Sequence, residues 1–78
     1  MLPTPELVKE YIAAGMDCVH LEVEGDGSHF NAVIVSPAFE GKRLIQRHQL
    51  VYAALGDRMR EEIHALSMKT LTPEEFAK

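Results

Sequence analysis

The chain has 78 residues, of which 46% are hydrophobic and 26% charged, a size and composition typical of one soluble globular domain. Its formal net charge of −4 argues against general binding to nucleic acid, which would need a local basic patch. A single cysteine, Cys18, excludes an internal disulfide, and no apolar run approaches the roughly 18–20 residues that span a bilayer. The N-terminus also lacks the pattern of a signal peptide. We therefore expect a single cytoplasmic domain, residues 1–78, without a membrane segment.

The first predicted element is an amphipathic helix. Thr4 stands where an N-cap is expected, directly before Pro5. Four apolar residues follow at helical spacing and predict one buried stripe: Leu7, Val8, Tyr11 and Ile12. Gly15 is predicted to end the helix as a left-handed cap.

A β-hairpin is predicted next. Val19, Leu21 and Val23 alternate with polar residues, as in a half-buried strand. The turn at residues 25–28 leads into a second strand from about 29 to 35. Pairing residue 24 with residue 29 sets three apolar pairs on one face: Val23 with Phe30, Leu21 with Ala32, and Val19 with Ile34.

Helical and strand patterns alternate in the second half of the chain. Residues 43–55 carry an apolar stripe that predicts a long helix ended by Gly56: Leu44, Ile45, Val51, Tyr52 and Leu55, with His48 inside it. A short helix carrying Met59 and Ile63 and a third strand with Leu66 and Met68 follow. Thr72, followed at the third position by Glu75, predicts a capping box and a short terminal helix.

The predicted order of elements is αββααβα, an α+β fold with a three-stranded mixed sheet and helices packed on one face. A connection long enough to hold two helices usually joins parallel strands, so the second and third strands should begin at the same end of the sheet. His29 and His64 stand at these two beginnings, 35 residues apart in sequence. We therefore expect two imidazoles to lie close together in space.

Taken together in this order, several motifs resemble the BolA-like family. They are Phe39-Glu40-Gly41-Lys42, Arg47-His48-Gln49-Leu50-Val51-Tyr52, Ile63-His64-Ala65-Leu66 and Thr72-Pro73-Glu74-Glu75. The short hairpin loop, residues 25–30, is similar to that of the acid-responsive bacterial subgroup called IbaG or YrbA. The resemblance covers nearly the whole chain and implies a fold like that of a type II KH domain.

The resemblance also implies a partner and a cofactor. BolA-like proteins pair with monothiol glutaredoxins and share a [2Fe–2S] cluster that is ligated by the glutaredoxin cysteine, glutathione and residues of the BolA-like protein. The family's ligand histidine maps onto His64, and its second position, in the hairpin loop, maps onto His29. No cluster is expected in the isolated protein, which would be a monomer or a weak homodimer.

Each of these residues has an alternative role. His64 could instead be a structural histidine at a helix–strand junction, and His29 an exposed polar residue of the hairpin. Cys18 begins the first strand, about a strand's length from the loop, so a small part-buried residue is the better interpretation than a thiolate ligand. His48 is expected to pack in the helix stripe with one ring nitrogen hydrogen-bonded.

One basic cluster remains: Lys42, Arg43 and Arg47. Because the preceding loop lacks the G-x-x-G clamp of KH domains, a solvated helix face or a partner-docking surface is favoured. The alternative function is a KH-like DNA-binding regulator that uses this patch. No nucleophile–base pair, glycine loop or carboxylate pair indicates an enzyme. Cluster delivery and cluster sensing are both compatible with these residues.

Overall fold

The computed structural model describes residues 4–26, 28–57 and 65–78. In this part of the chain, one sheet has the order β1 (His20–Gly25), β2 (His29–Val35) and β3 (Ala65–Leu71). The helices are α1 (Pro5–Gly15), α2 (Leu44–Leu55) and α3 (Pro73–Ala77), with a 3₁₀ turn at Pro37–Phe39. Since β1 and β2 are antiparallel and β2 and β3 are parallel, the predicted α+β class and mixed sheet are confirmed. The predicted short helix with Met59 and Ile63 lies outside the described residues.

The core lies between one face of the sheet and helices α1 and α2. Its buried side chains are Val8, Ile12, Phe30, Ala32, Ile34, Phe39, Val51 and Leu55. The alternation of β2 turns Phe30, Ala32 and Ile34 toward the helices and leaves Asn31 on the opposite, exposed face. This burial of apolar surface is the main stabilising contribution in so small a domain.

The helix ends follow local capping chemistry. The Thr4 hydroxyl accepts a hydrogen bond from the Leu7 N–H at 3.1 Å, as expected for an N-cap. At α3 the Thr72 hydroxyl accepts from the Glu75 N–H at 3.1 Å, and the Glu75 carboxylate accepts from the Thr72 N–H at 2.8 Å. Gly56 caps α2 with a positive φ of 62°. The predicted caps at these three places are confirmed.

The hairpin register is shifted by two residues from the predicted one. Val23 pairs with Ala32 and Leu21 with Ile34, because β1 extends through Gly25, which pairs with Phe30. The loop between the last paired residues, 26–29, therefore keeps the predicted length of four residues but begins one residue later. A shift of two residues keeps each side chain on its original face, so the apolar face of the hairpin survives the error.

Two glycines are required by close packing. A Cβ at Gly15 would lie 2.6 Å from the Cβ of Ala54, so Gly15 permits α1 to cross closely against α2. Its backbone does not have a positive φ, and the predicted left-handed cap at Gly15 is therefore wrong. A Cβ at Gly25 would overlap the His29 carbonyl oxygen, so the hairpin also needs glycine at that position.

The apolar stripe predicted on α2 is largely wrong. Val51 and Leu55 are buried, whereas Leu44, Ile45 and Tyr52 are 63%, 67% and 41% exposed. Helical periodicity relates residues to one another but does not show which direction faces the sheet, and here the core uses a neighbouring face. The predicted burial of Val19 on the hairpin is wrong as well, because Val19 is 63% exposed.

Candidate functional site

The predicted meeting of two strand beginnings is confirmed in the described part of the chain. His29, the first residue of β2, is directly paired with Ala65, the first residue of β3, in parallel register. His64 itself lies outside the described residues; it precedes Ala65 in the sequence. The length of the connection between β2 and β3 predicted this parallel pairing.

A hydrogen-bonded loop holds the backbone of His29. Asp26 Oδ1 accepts hydrogen bonds from the N–H groups of Ser28 and His29, each at 2.9 Å. The Asp26 N–H donates to the His29 carbonyl oxygen at 3.2 Å. The backbone hydrogen bonds from His29 and then Ser28 lower the pKa of Asp26. Ionised Asp26 therefore holds the backbone of His29, whose side chain is exposed.

Cys18 lies at the opposite end of the sheet from His29. The next residue, Val19, donates its N–H to the carbonyl oxygen of Val35, the last residue of β2. Burial, followed by the nearby carboxylate of Asp17, raises the pKa of the Cys18 thiol. A part-buried thiol with a raised pKa suits packing better than metal ligation, which needs the thiolate.

Three elements converge on Arg47. Its Nε donates to the Lys42 carbonyl at 3.0 Å, and one terminal nitrogen donates to the Thr70 carbonyl at 3.1 Å. The same nitrogen lies 2.7 Å from Glu75 Oε1, and the guanidinium carbon lies 5.9 Å from the centre of the Phe39 ring. Only 13% of the Arg47 side chain is exposed. Arg47 therefore joins α2, β3 and α3 and does not form part of an open basic surface.

The contact with Arg47 lowers the pKa of Glu75. The hydrogen bond from Arg47, followed by the bond from the Thr72 N–H, lowers the pKa of Glu75 from 4.5 to about 2. The capping box made Glu75 recognisable in the sequence, but nothing in the sequence linked it to an arginine 28 residues away. Lys42 and Arg43, the other two residues of the predicted patch, are exposed.

The remaining histidines of the described chain have separate environments. His20 Nε2 lies 2.8 Å from Glu22 Oε2, and the His20 ring stacks on Phe76 with a centroid distance of 4.7 Å. His48 Nε2 is buried and has no hydrogen-bond partner among the described residues. His48 was expected to pack with one ring nitrogen hydrogen-bonded, and its Nε2 makes no such bond.

Within residues 4–26, 28–57 and 65–78, no three histidine, cysteine, aspartate or glutamate side chains are close enough to hold a metal ion together. The helices in these ranges are also too short or too polar to cross a membrane.

Comparison with known proteins gives a consistent result. Residues 8–75 match the family described as BolA-like protein. Protein BOLA2 of Arabidopsis thaliana is 45% identical over 78 residues, covering 94% of this chain and 83% of the relative. The DNA-binding transcriptional regulator BolA of Escherichia coli K12 is 33% identical over 81 residues, covering 91% and 77%. The solved structure of a bolA protein homologue from Coxiella burnetii has a TM-score of 0.88 at 44% identity, with 99% and 100% coverage. None of these names describes a catalysed reaction.

Proposed function

Because the chain belongs to the BolA-like protein family, we propose that it pairs with a monothiol glutaredoxin and shares a glutathione-ligated [2Fe–2S] cluster with it. The complex would act in iron–sulfur trafficking or in the response to iron, redox or acid stress, in the cytoplasm. In this proposal His64 and His29 supply iron ligands. The observation that supports it best is the parallel pairing of His29 with Ala65, the residue that follows His64 in the sequence.

The described donor at this end of the sheet, the His29 imidazole, suits such a group. Imidazole nitrogen can replace thiolate on one iron of a [2Fe–2S] cluster. His29 is exposed, and the loop of Asp26 holds its backbone while leaving its side chain at the surface. A [2Fe–2S] cluster needs four ligands, so one or two histidines leave the others to a partner cysteine and glutathione. The cluster itself would supply the redox and iron chemistry.

The residues of this chain have a positioning task in the proposal. Asp26 fixes the loop through two backbone hydrogen bonds, so the Cα of His29 keeps a constant place beside the beginning of β3. Gly25 permits the close approach that this geometry requires. Pre-set ligand positions reduce the entropy lost when a shared site forms between two proteins.

The test is reconstitution of the protein with a monothiol glutaredoxin, glutathione, iron and sulfide, followed by visible absorption and circular dichroism. We expect a spectrum that differs from that of the glutaredoxin homodimer, and we expect His64→Ala to abolish or alter it. The His29→Ala variant tests whether His29 is the second iron ligand. His20→Ala is the matched control, because His20 lies at the other end of the hairpin. A normal heterodimer spectrum with His64→Ala would contradict the central claim.

A DNA-binding regulator is the second candidate, and the exposure of Lys42 and Arg43 favours it. With Arg47 held by Glu75, two free cations predict a slope of about −1.8 in log affinity against log salt, compared with about −2.7 for three. Fluorescence anisotropy with a labelled duplex over a salt series measures this slope. Unchanged affinity in a Lys42→Glu, Arg43→Glu variant would count against the candidate.

A further inference from the structure

Helix α2 carries an apolar strip that the core does not use. Ile45 and Tyr52 are seven residues apart and therefore lie on the same side of the helix, two turns from each other. Leu44 is adjacent to Ile45, and both are more than 60% exposed. Single exposed apolar residues are common, whereas several on one short helix make a candidate interaction surface.

Two cations stand at the N-terminal end of this strip, although the whole chain is acidic. Residues 41–56 contain no aspartate or glutamate, whereas Lys42 and Arg43 stand directly before the first turn of α2. Among the described residues, neither cation takes part in an ion pair, in contrast to Arg47 with Glu75. The surface formed by Lys42, Arg43, Leu44, Ile45 and Tyr52, the α2 patch, therefore combines apolar area with two free cations.

We propose that the α2 patch docks an acidic, aliphatic segment of a partner protein. Carboxylates of that segment would meet Lys42 and Arg43, and its aliphatic side chains would cover Ile45 and Tyr52. Charge complementarity of this kind selects partners and speeds association. A nucleic acid fits less well, because Leu44 and Ile45 present apolar surface where phosphates would need to remain solvated.

The cationic end of the patch lies away from the His29 end of the sheet, because the Lys42 carbonyl accepts a hydrogen bond from Arg47. Arg47, in the first turn of α2, bonds to the carbonyl of Thr70 near the end of β3. Ala65 pairs with His29 five residues earlier, which corresponds to about 17 Å along the strand. The docking proposal therefore does not depend on a cluster, and a ligand could occupy each end of the sheet at the same time.

The test measures binding of a fluorescein-labelled amphipathic peptide of about four helical turns, built from Leu, Ala and Glu. We expect Ile45→Glu and Arg43→Glu each to weaken its binding by about tenfold or more. Two variants serve as matched controls: Val19→Glu, at an equally exposed apolar residue of the β1 end, and Lys69→Glu, at an exposed lysine of β3. Both should bind the peptide as the wild type does.

Three outcomes would overturn the docking proposal. The first is no saturable binding of the acidic peptide, and the second is equal loss of binding in the matched controls. The third is tighter binding of a labelled DNA duplex or of a Lys-for-Glu peptide through the same residues, which would assign the patch to a different ligand. Circular dichroism melting of Ile45→Glu confirms that the variant is folded, and Arg43→Glu tests the charges without changing the apolar strip.

Discussion

At one end of the sheet, where β3 finishes, Arg47 gathers the Thr70 carbonyl, the Lys42 carbonyl and the Glu75 carboxylate around a guanidinium that is 13% exposed. At the other end, where β2 and β3 begin, the loop of Asp26 holds only the backbone and leaves the His29 side chain in solvent. The first arrangement uses a charged side chain to join three elements, and the second leaves an imidazole side chain exposed at the surface. The difference shows that the fold can bury a polar side chain in a network at one end of the sheet and leave one exposed at the other.

The largest effect is expected when Arg47 is compared with Arg43. Arg47→Met leaves the buried backbone of Thr70 without its donor and separates α3 from α2, which should cost about 2 kcal/mol of unfolding free energy. Arg43→Met, at an exposed position, should change it by no more than about 0.5 kcal/mol. Urea unfolding of both variants measures the difference. Equal effects would mean that the Arg47 network does not stabilise the fold.

A smaller and pH-dependent effect is expected at Glu75. Since its folded pKa is lowered from 4.5 to about 2, ionised Glu75 contributes stability above the unfolded value. That contribution is lost as the pH falls through about 2. Glu75→Gln should therefore be less stable than the wild type at neutral pH, and the difference should narrow from about pH 4.5 downward. Urea midpoints along a pH series measure it, and a constant difference at all pH values would contradict the assigned pKa.

A local effect is expected at the open end. Asp26→Ala removes the acceptor of the Ser28 and His29 amides, so these two amides should exchange with solvent faster while core amides keep their rates. Hydrogen exchange followed by NMR measures each amide separately. Asp57→Ala, at another exposed aspartate, serves as the control. Unchanged exchange at His29 would show that Asp26 does not position the loop.

The smallest effect is expected at Cys18. Because burial raises its pKa, less thiolate is present near neutral pH, and Cys18 should react with iodoacetamide more slowly in the folded protein than in urea. Mass spectrometry over time measures the rate in both states. Equal rates would show that the thiol is as available as a free cysteine and would reopen its place among the candidate ligands.

Local chemistry explains why much of the fold could be predicted. The caps of Thr4 and Thr72 depend on residues within three positions, and the alternation of β2 is visible in six or seven consecutive residues. The hairpin register was predicted two residues away from the observed one, because it depends on how Asp26 closes the loop. Several turn geometries can close a hairpin with the same alternating pattern, so the pattern alone does not determine the register.

The candidate site could also be predicted only in part. The length of the crossover was enough to predict that β2 and β3 begin together, which brings His29 beside Ala65. The pattern of the basic cluster gave no sign that Arg47 would differ from Lys42 and Arg43. Its role depends on Glu75, 28 residues further along the chain.

By itself, the sequence determined the caps at Thr4, Gly56 and Thr72, the alternation of β2, the parallel pairing and the family, since each follows from neighbouring residues or from the order of motifs. Only the tertiary structure decided which side of α2 faces the core, why Gly15 must be small, and which arginine is held in an ion pair. The physical reason is that these features arise from contacts between elements that are distant in the chain. Periodicity gives the spacing of side chains on a helix, but the rotation of that helix is set by the surface against which it packs.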